Sequence, residues 1–228
     1  MKKIIMMAVA AFMATAANAQ FEKGTWSLQP FLGGGFSSLT NVRDLPIATG
    51  KTLDKKVTSV YIIGGEAEYQ FADKFSAAAG INYTSQGVGW DDYNDGNVKN
   101  KNISASLGYI KIPIVANFYF AKGWAVKAGV QFGFLVSSKF NYLTSGKVDL
   151  GDGVDRDTDM FTAIDIKDIF QKFDFSIPVG VSYQFKTPIT IDARYQIGLT
   201  RVNKNTADGV NNSKNSVFTL TVGYKFAL

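Results

Sequence analysis

Apolar side chains recur at every second residue in eight separate stretches of this chain, and that period constrains the fold more than anything else in the sequence. From Tyr61 to Phe71 one face carries Tyr61, Ile63, Gly65, Ala67, Tyr69 and Phe71, and the other carries Ile62, Gly64, Glu66, Glu68 and Gln70. Trp124 to Val136, Asp174 to Phe185 and Ile189 to Thr200 alternate in the same way, as do Phe75 to Thr84, Ser104 to Phe120 and Ser216 to Phe226. A period of two marks a β-strand with unlike faces, because successive side chains leave opposite sides of the pleat. Trp26 to Phe36 is the weakest of the eight, since Pro30 and the run Gly33-Gly34-Gly35 dilute its pattern.

The connections are of two kinds. Ala72-Asp73-Lys74, Ala121-Lys122-Gly123 and Lys186-Thr187-Pro188 read as tight turns, whereas residues 37–56, 87–101, 137–172 and 203–215 read as long polar loops. Short and long connections alternating around an even number of antiparallel strands predict an all-β, up-and-down, eight-stranded transmembrane β-barrel with long external loops.

Composition assigns the faces. The less apolar face is mostly Gly, Ser, Thr, Ala, Asn and Gln, and its charges are the acids Glu66, Glu68, Asp174 and Asp192 against the bases Lys111, Lys127, Arg194 and Lys225. A face in bulk water carries more charge without such parity, while the narrow interior of an eight-stranded barrel takes small residues and paired ions. This face is therefore expected inside, its eight charges forming a structural salt-bridge network. A reading of Asp192, Arg194, Glu66 and Glu68 as catalytic groups is the alternative. On the apolar face, aromatics gather next to the tight turns: Trp26, Tyr69, Phe71, Phe75, Phe118, Phe120, Trp124, Tyr183, Phe185, Tyr224 and Phe226. Such a belt bounding smaller aliphatics is the pattern of an interfacial aromatic girdle. A soluble barrel with a Phe-rich core is the competing reading.

The start of the chain points the same way. Lys2 and Lys3 precede an apolar run from Ile4 to Ala17 that closes on Ala17-Asn18-Ala19, the layout of a secretory signal peptide. Residues 1–19 are expected to be removed, leaving 20–228 as the barrel domain; losing Lys2 and Lys3 takes the formal net charge from +5 to +3. Beyond the signal no apolar window is long enough for a membrane-spanning helix. With 0 Cys and 0 His, disulfides, thiolate nucleophiles and imidazole metal sites are excluded. No cofactor and no nucleic-acid partner is implied, because Lys and Arg form no dense cluster. The expected destination is the cell outer membrane, with its lipid and the barrel assembly machinery as partners and an envelope protein as a further one.

Tyr109-Ile110-Lys111-Ile112-Pro113-Ile114 resembles the Tyr-Leu-Glu-Ile-Pro-Leu signature of the PorT-like outer-membrane β-barrel family of Bacteroidetes, and residues 165–180 are similar to that family's loop-to-strand segment. The final strand also resembles the C-terminal signal by which outer-membrane barrels are recognised for assembly, with Ala227 and Leu228 added after Phe226. The resemblance implies a porin-like, non-enzymatic outer-membrane protein, in a family whose namesake serves a secretion system. Lys111 stands where Glu is common; if it points inward, Glu66 or Glu68 is its natural partner.

The third loop holds Asp149, Asp152, Asp155, Asp157 and Asp159, a run that could supply oxygens to Ca²⁺, although its spacing is not that of an EF-hand. A solvated acidic loop is the simpler reading. After it, Asp165 is positioned to cap a short helix in which Ile166, Ile169, Phe170 and Phe173 recur at helical spacing, an apolar stripe suited to packing over the barrel mouth or against a partner.

Three functions are weighed at this point. The leading one is a structural or envelope-interaction role exercised through the loops; the second is a small passive channel, which a lumen filled by side chains disfavours; the third is an outer-membrane enzyme acting on lipid or peptide, which the absence of His and Cys disfavours.

Overall fold

The computed structural model describes residues 22–42, 45–46, 51–94, 98–149, 155–204 and 212–228. The expected signal peptide lies outside the described residues, as does Asp152. Eight strands close into a ring: β1 (Trp26–Thr40), β2 (Thr58–Ala72), β3 (Phe75–Trp90), β4 (Val98–Ala121), β5 (Trp124–Asp149), β6 (Phe173–Gln184), β7 (Ile189–Gly198) and β8 (Lys214–Tyr224). Each pairs antiparallel with its sequence neighbours, and β8 returns to β1 with Phe31 opposite Gly223 and Thr40 opposite Lys214. Closure pairs the first ring strand with the last, so the ring itself ends in no open edge. Four further pieces, Lys55–Lys56, Tyr93–Asn94, Asp155–Asp165 and Phe226–Ala227, extend the same sheet.

Two different surroundings explain the alternation. On β2, Glu66 is 3% exposed, whereas Ile63 on the opposite face is 59% exposed. Across the ring on β8, Leu220 is 50% exposed while its neighbours Thr219 and Thr221 are buried. Apolar residues face outward and polar ones inward, the reverse of a soluble barrel, so the Phe-rich-core alternative fails. On β4 the outward apolar run extends from Phe120 to Ile110. At about 3.3 Å per residue, and with the strand tilt of roughly 40° usual in such barrels, that run covers a height of roughly 25 Å, enough for the hydrocarbon band.

The tight turns fall where expected, with Asp73–Lys74 and Lys122–Gly123 as two-residue turns. Gly123 takes φ +80°, a left-handed conformation that a side chain resists. The long connections differ from expectation, because much of residues 87–101 and 137–172 is strand. β3 continues to Trp90, and Asp155–Asp165 pairs back along β5 from Asp149 to Lys139. Above the apolar band water lies on both sides of the wall, so pairing continues while the apolar alternation that signals it lapses.

The helix expected after Asp165 does not form. Lys167–Ile169 makes one 3-10 turn, and Phe170 enters an isolated antiparallel bridge with Asn203. Phe173, counted at the fourth position of the stripe, already belongs to β6 and pairs with Phe134. The Asp165 carboxylate accepts from the Lys167 backbone N–H at 2.8 Å, an Asx-type turn at the end of a strand. The mouth-packing expected of the stripe survives without the helix: Phe170 is buried in the apolar cluster at the loop end and Ile166 packs against it, while Ile169 stays exposed.

Candidate functional site

Seven of the eight inward charges lie on β2, β4, β5, β6 and β7, and the eighth, Lys225, immediately follows β8. Six of them pair directly. Arg194 is the hub: its guanidinium grips both oxygens of Glu66 across the lumen, while Nε and Nη2 reach the two oxygens of Asp192 at 2.8 and 3.0 Å. Lys127 completes the group, its Nζ 2.7 Å from Asp192 Oδ2. Nearer the tight turns, Lys225 Nζ lies 2.8 Å from Glu68 Oε2, and Tyr119 Oη and Ser76 Oγ donate to Glu68 Oε1 at 2.5 and 2.7 Å. Every carboxylate oxygen of Glu66, Glu68 and Asp192 is engaged, which is what makes three buried carboxylates tolerable.

Lys111 does not pair with Glu66 or Glu68. It lies opposite Asn82 on β3, which lies opposite Gly64 on β2, so it stands above both acids towards the loops. Each acid is already held by Arg194 or Lys225. The Lys111 ammonium instead donates to Gln86 Oε1 and Gln196 Oε1, both at 2.5 Å, and Gln131 Nε2 ties Gln196 Oε1 to Ser176 Oγ at 2.9 and 3.0 Å. Asp174, the remaining acid, accepts from Thr200 Oγ1 at 3.2 Å.

Above Lys111 the interior turns apolar. Leu39, Val88, Trp90, Leu107, Tyr109 and Leu135 are buried together with Phe170 and Val202. Sequence reading missed this cap, although a signal existed: Val88 and Trp90 continue the phase of the inward polar residues Asn82, Thr84 and Gln86. It missed the glutamines too, because neutral amides carry no mark of the cation they hold.

The eleven girdle aromatics fall into four groups of ring contacts at the tight-turn end. Trp26 meets Tyr69 at 4.9 Å, Phe75 meets Phe71 and Phe118 at 6.4 and 5.0 Å, and Trp124 meets Phe120 and Tyr183 at 6.5 and 4.8 Å. Phe185 joins Tyr183 at 4.8 Å, and Tyr224 joins Phe226 at 6.2 Å.

Among the described residues no group of three carboxylates, histidines or cysteines could hold an ion; Asp152 of the acidic run lies outside them. Asp159 is exposed on the outer hairpin, with Asp149, Asp155 and Asp157 in the same paired segment. At the loop end Lys56 and Asp91 make an exposed pair at 2.5 Å, and the hydrogen bond to Asp91 raises the lysine above its ordinary pKa.

A closed antiparallel ring with a polar interior and an apolar exterior is the geometry of an outer-membrane barrel, and residues 18–204 match the family model of the outer membrane protein beta-barrel domain. The chain belongs to that family. Among curated proteins none matches. Among solved structures, this barrel is similar to Ail, the attachment invasion locus protein of Yersinia pestis, at 12% identity and a TM-score of 0.40, covering 90% of this chain and 100% of that one. It is also similar to OprG of Pseudomonas aeruginosa, at 15% identity and 0.40 over 92% and 100%. Neisserial surface protein A aligns at 16% identity and 0.40 over 90% and 98%.

Proposed function

We propose that this outer-membrane barrel is a non-enzymatic, non-conducting envelope protein that anchors its loop-end hairpins in the membrane for contact with the exterior or with another envelope component. The observation that carries the reading is the obstructed lumen. The Glu66–Arg194–Asp192–Lys127 group spans it from β2 to β7 and β5, with the Lys111 amide cluster and the apolar cap above. No charge in this stack is left to act as a free acid or nucleophile beside a cleft. The outer hairpin supports the contact role. Met160 and Phe161, adjacent residues pointing to opposite faces of the edge strand Asp155–Asp165, are 62% and 66% exposed. Apolar groups bare on both faces of an edge strand suit a partner better than water.

Several finer features belong to the same reading. The ring belt from Trp26 to Phe226 sits at one lipid interface, residues 1–19 direct export, and the last strand is read by the assembly machinery. Placement in the PorT-like branch rests on the residues 109–114 motif, in which Tyr109, Lys111 and Pro113 face inward and Ile110, Ile112 and Ile114 face lipid.

A small-solute channel is the second reading. It is favoured by buried polar atoms without a hydrogen-bond partner in the lumen, among them Gln86 Nε2, Asn117 Oδ1 and Thr190 Oγ1, which are groups that water satisfies. Planar-bilayer recording of the purified barrel separates the two. Silence is expected, and stable unitary conductance overturns the proposal in favour of the channel.

A further inference from the structure

On one side of the loop end the barrel wall stands taller than anything opposite. β4 and β5 run for 24 and 26 residues, against 15 for β1 and 10 for β7, so the inner surface of their outermost pairs faces no opposing strand. Two loop pieces flank it instead: the paired segments Leu45–Pro46 and Thr52–Leu53, and the strand piece Tyr93–Asn94, which pairs alongside β4. They do not fill the space. A cleft of about 430 Å³ remains between them and the β4–β5 hairpin, a size within the roughly 300–1,000 Å³ typical of small-molecule pockets.

The lining selects a class of occupant. Leu45, Leu53 and Ile103 supply aliphatic surface, and Tyr93, Phe140 and Tyr142 supply three rings. One edge is polar: Asn100 and Thr144 lie opposite each other on β4 and β5, and Thr144 Oγ1 donates to Asn100 Oδ1 at 2.8 Å. Among the described residues, none of the lining side chains is an acid, a lysine or an arginine, so a charged guest would lose its hydration without gaining a counter-ion from them. Behind Phe140 lies the buried Trp90, ring centroids 6.0 Å apart, whose indole N–H has no hydrogen-bond partner. The floor is the apolar cap, so the cleft ends where the lumen is blocked.

We propose that this cleft binds a neutral small aromatic molecule bearing one hydroxyl or similar polar group. The three rings accept its π-face and edge, and the Asn100–Thr144 edge, with the two donors of the asparagine amide, receives its oxygen. The site is walled by loops outside the blocked lumen, so the inference stands whether or not the lumen conducts.

The test uses the full-length barrel in nanodiscs, titrated by equilibrium dialysis with 1-naphthol, with protein-free nanodiscs of the same lipid as blank. Lipid takes up the probe linearly, whereas the site adds one saturable equivalent per barrel. Ile103→Trp, which fills the cleft, should weaken the saturable component at least tenfold, while Ile112→Trp on the lipid face should leave it unchanged. Because Ile103 is buried, Asn100→Leu is read in parallel: it should weaken 1-naphthol several-fold and leave naphthalene unaffected. The anion 1-naphthoate should show no saturable component. Unboiled and boiled gel migration verifies that each variant is folded. Wild-type uptake equal to the blank, saturable binding untouched by both cleft substitutions, or 1-naphthoate binding as tightly as 1-naphthol overturns the proposal.

Discussion

Arg194 serves two buried carboxylates at once, and its rigid fork matches each of them. Replacing it with methionine leaves Glu66 without its guanidinium and Asp192 with Lys127 alone. Removing one partner of a buried ion pair typically costs about 3–5 kcal/mol, and Arg194→Met should lose about that much in urea unfolding from lipid vesicles. Adding Glu66→Gln should recover part of the loss, since a neutral amide tolerates isolation better than a carboxylate; a double variant as unstable as the sum of the singles would contradict the pairing. Lys111 should behave differently. Its hydrogen-bond partners are the neutral oxygens of Gln86 and Gln196, so Lys111→Met breaks no direct ion pair and should cost less than Arg194→Met under the same conditions. Lys111→Glu, which turns a carboxylate towards those two oxygens, should cost more than Lys111→Met. Equal losses for the two would mean that the ammonium's charge is irrelevant to the cluster.

Among the elements, β1 carries the closure of the ring. A Cβ on Gly35 would lie 1.9 Å from the Phe218 carbonyl oxygen on β8, a clash with backbone that no rotamer relieves. Gly65→Ala on β2 meets nothing nearer than 3.7 Å. Gly35→Ala should therefore lose the folded, fast-migrating band on an unboiled gel while Gly65→Ala keeps it; the reverse would mean that β8 does not pair with β1 as described. At the other end, the segment after the 3-10 turn is stitched to the last loop, with Gln171 N–H donating to Val202 O at 2.7 Å and Lys204 N–H to Ile169 O at 2.9 Å. Phe170→Ala should open that seam and raise protease cleavage between Ile166 and Lys204 without changing the gel shift. The eight strands and their phases were readable in the sequence because lipid on one side and packed polar groups on the other force a strict alternation from Phe75 to Ile81 or from Ile110 to Phe120. Where water replaces lipid, as beyond Val136, the constraint relaxes, and the paired Asp155–Asp165 segment read as loop. The spacing of Ile166, Ile169, Phe170 and Phe173 imitated a helix because a strand end, a turn and a strand start happened to place four apolar residues at that interval. Charge parity in the lumen was legible, but not who pairs with whom, since Lys111 and Glu66 are separated by the whole of β3 and only its register sets their levels.

At the scale of the whole molecule, the wall is inverted relative to a soluble protein: its largest apolar surface is outside, and its interior is held together by ions and amides. That arrangement is stable only with hydrocarbon around it, and it makes the absence of cysteine useful, because any single introduced thiol is unique. Single-cysteine variants at successive positions from Ile110 to Phe118 on β4, spin-labelled in lipid vesicles, measure how often lipid-dissolved oxygen collides with each site. Collision rates are expected to be high at Ile110, Ile112, Ile114, Ala116 and Phe118 and low at Lys111, Pro113, Val115 and Asn117. A profile without a period of two, or one with the phases exchanged, would contradict the outward-facing apolar wall.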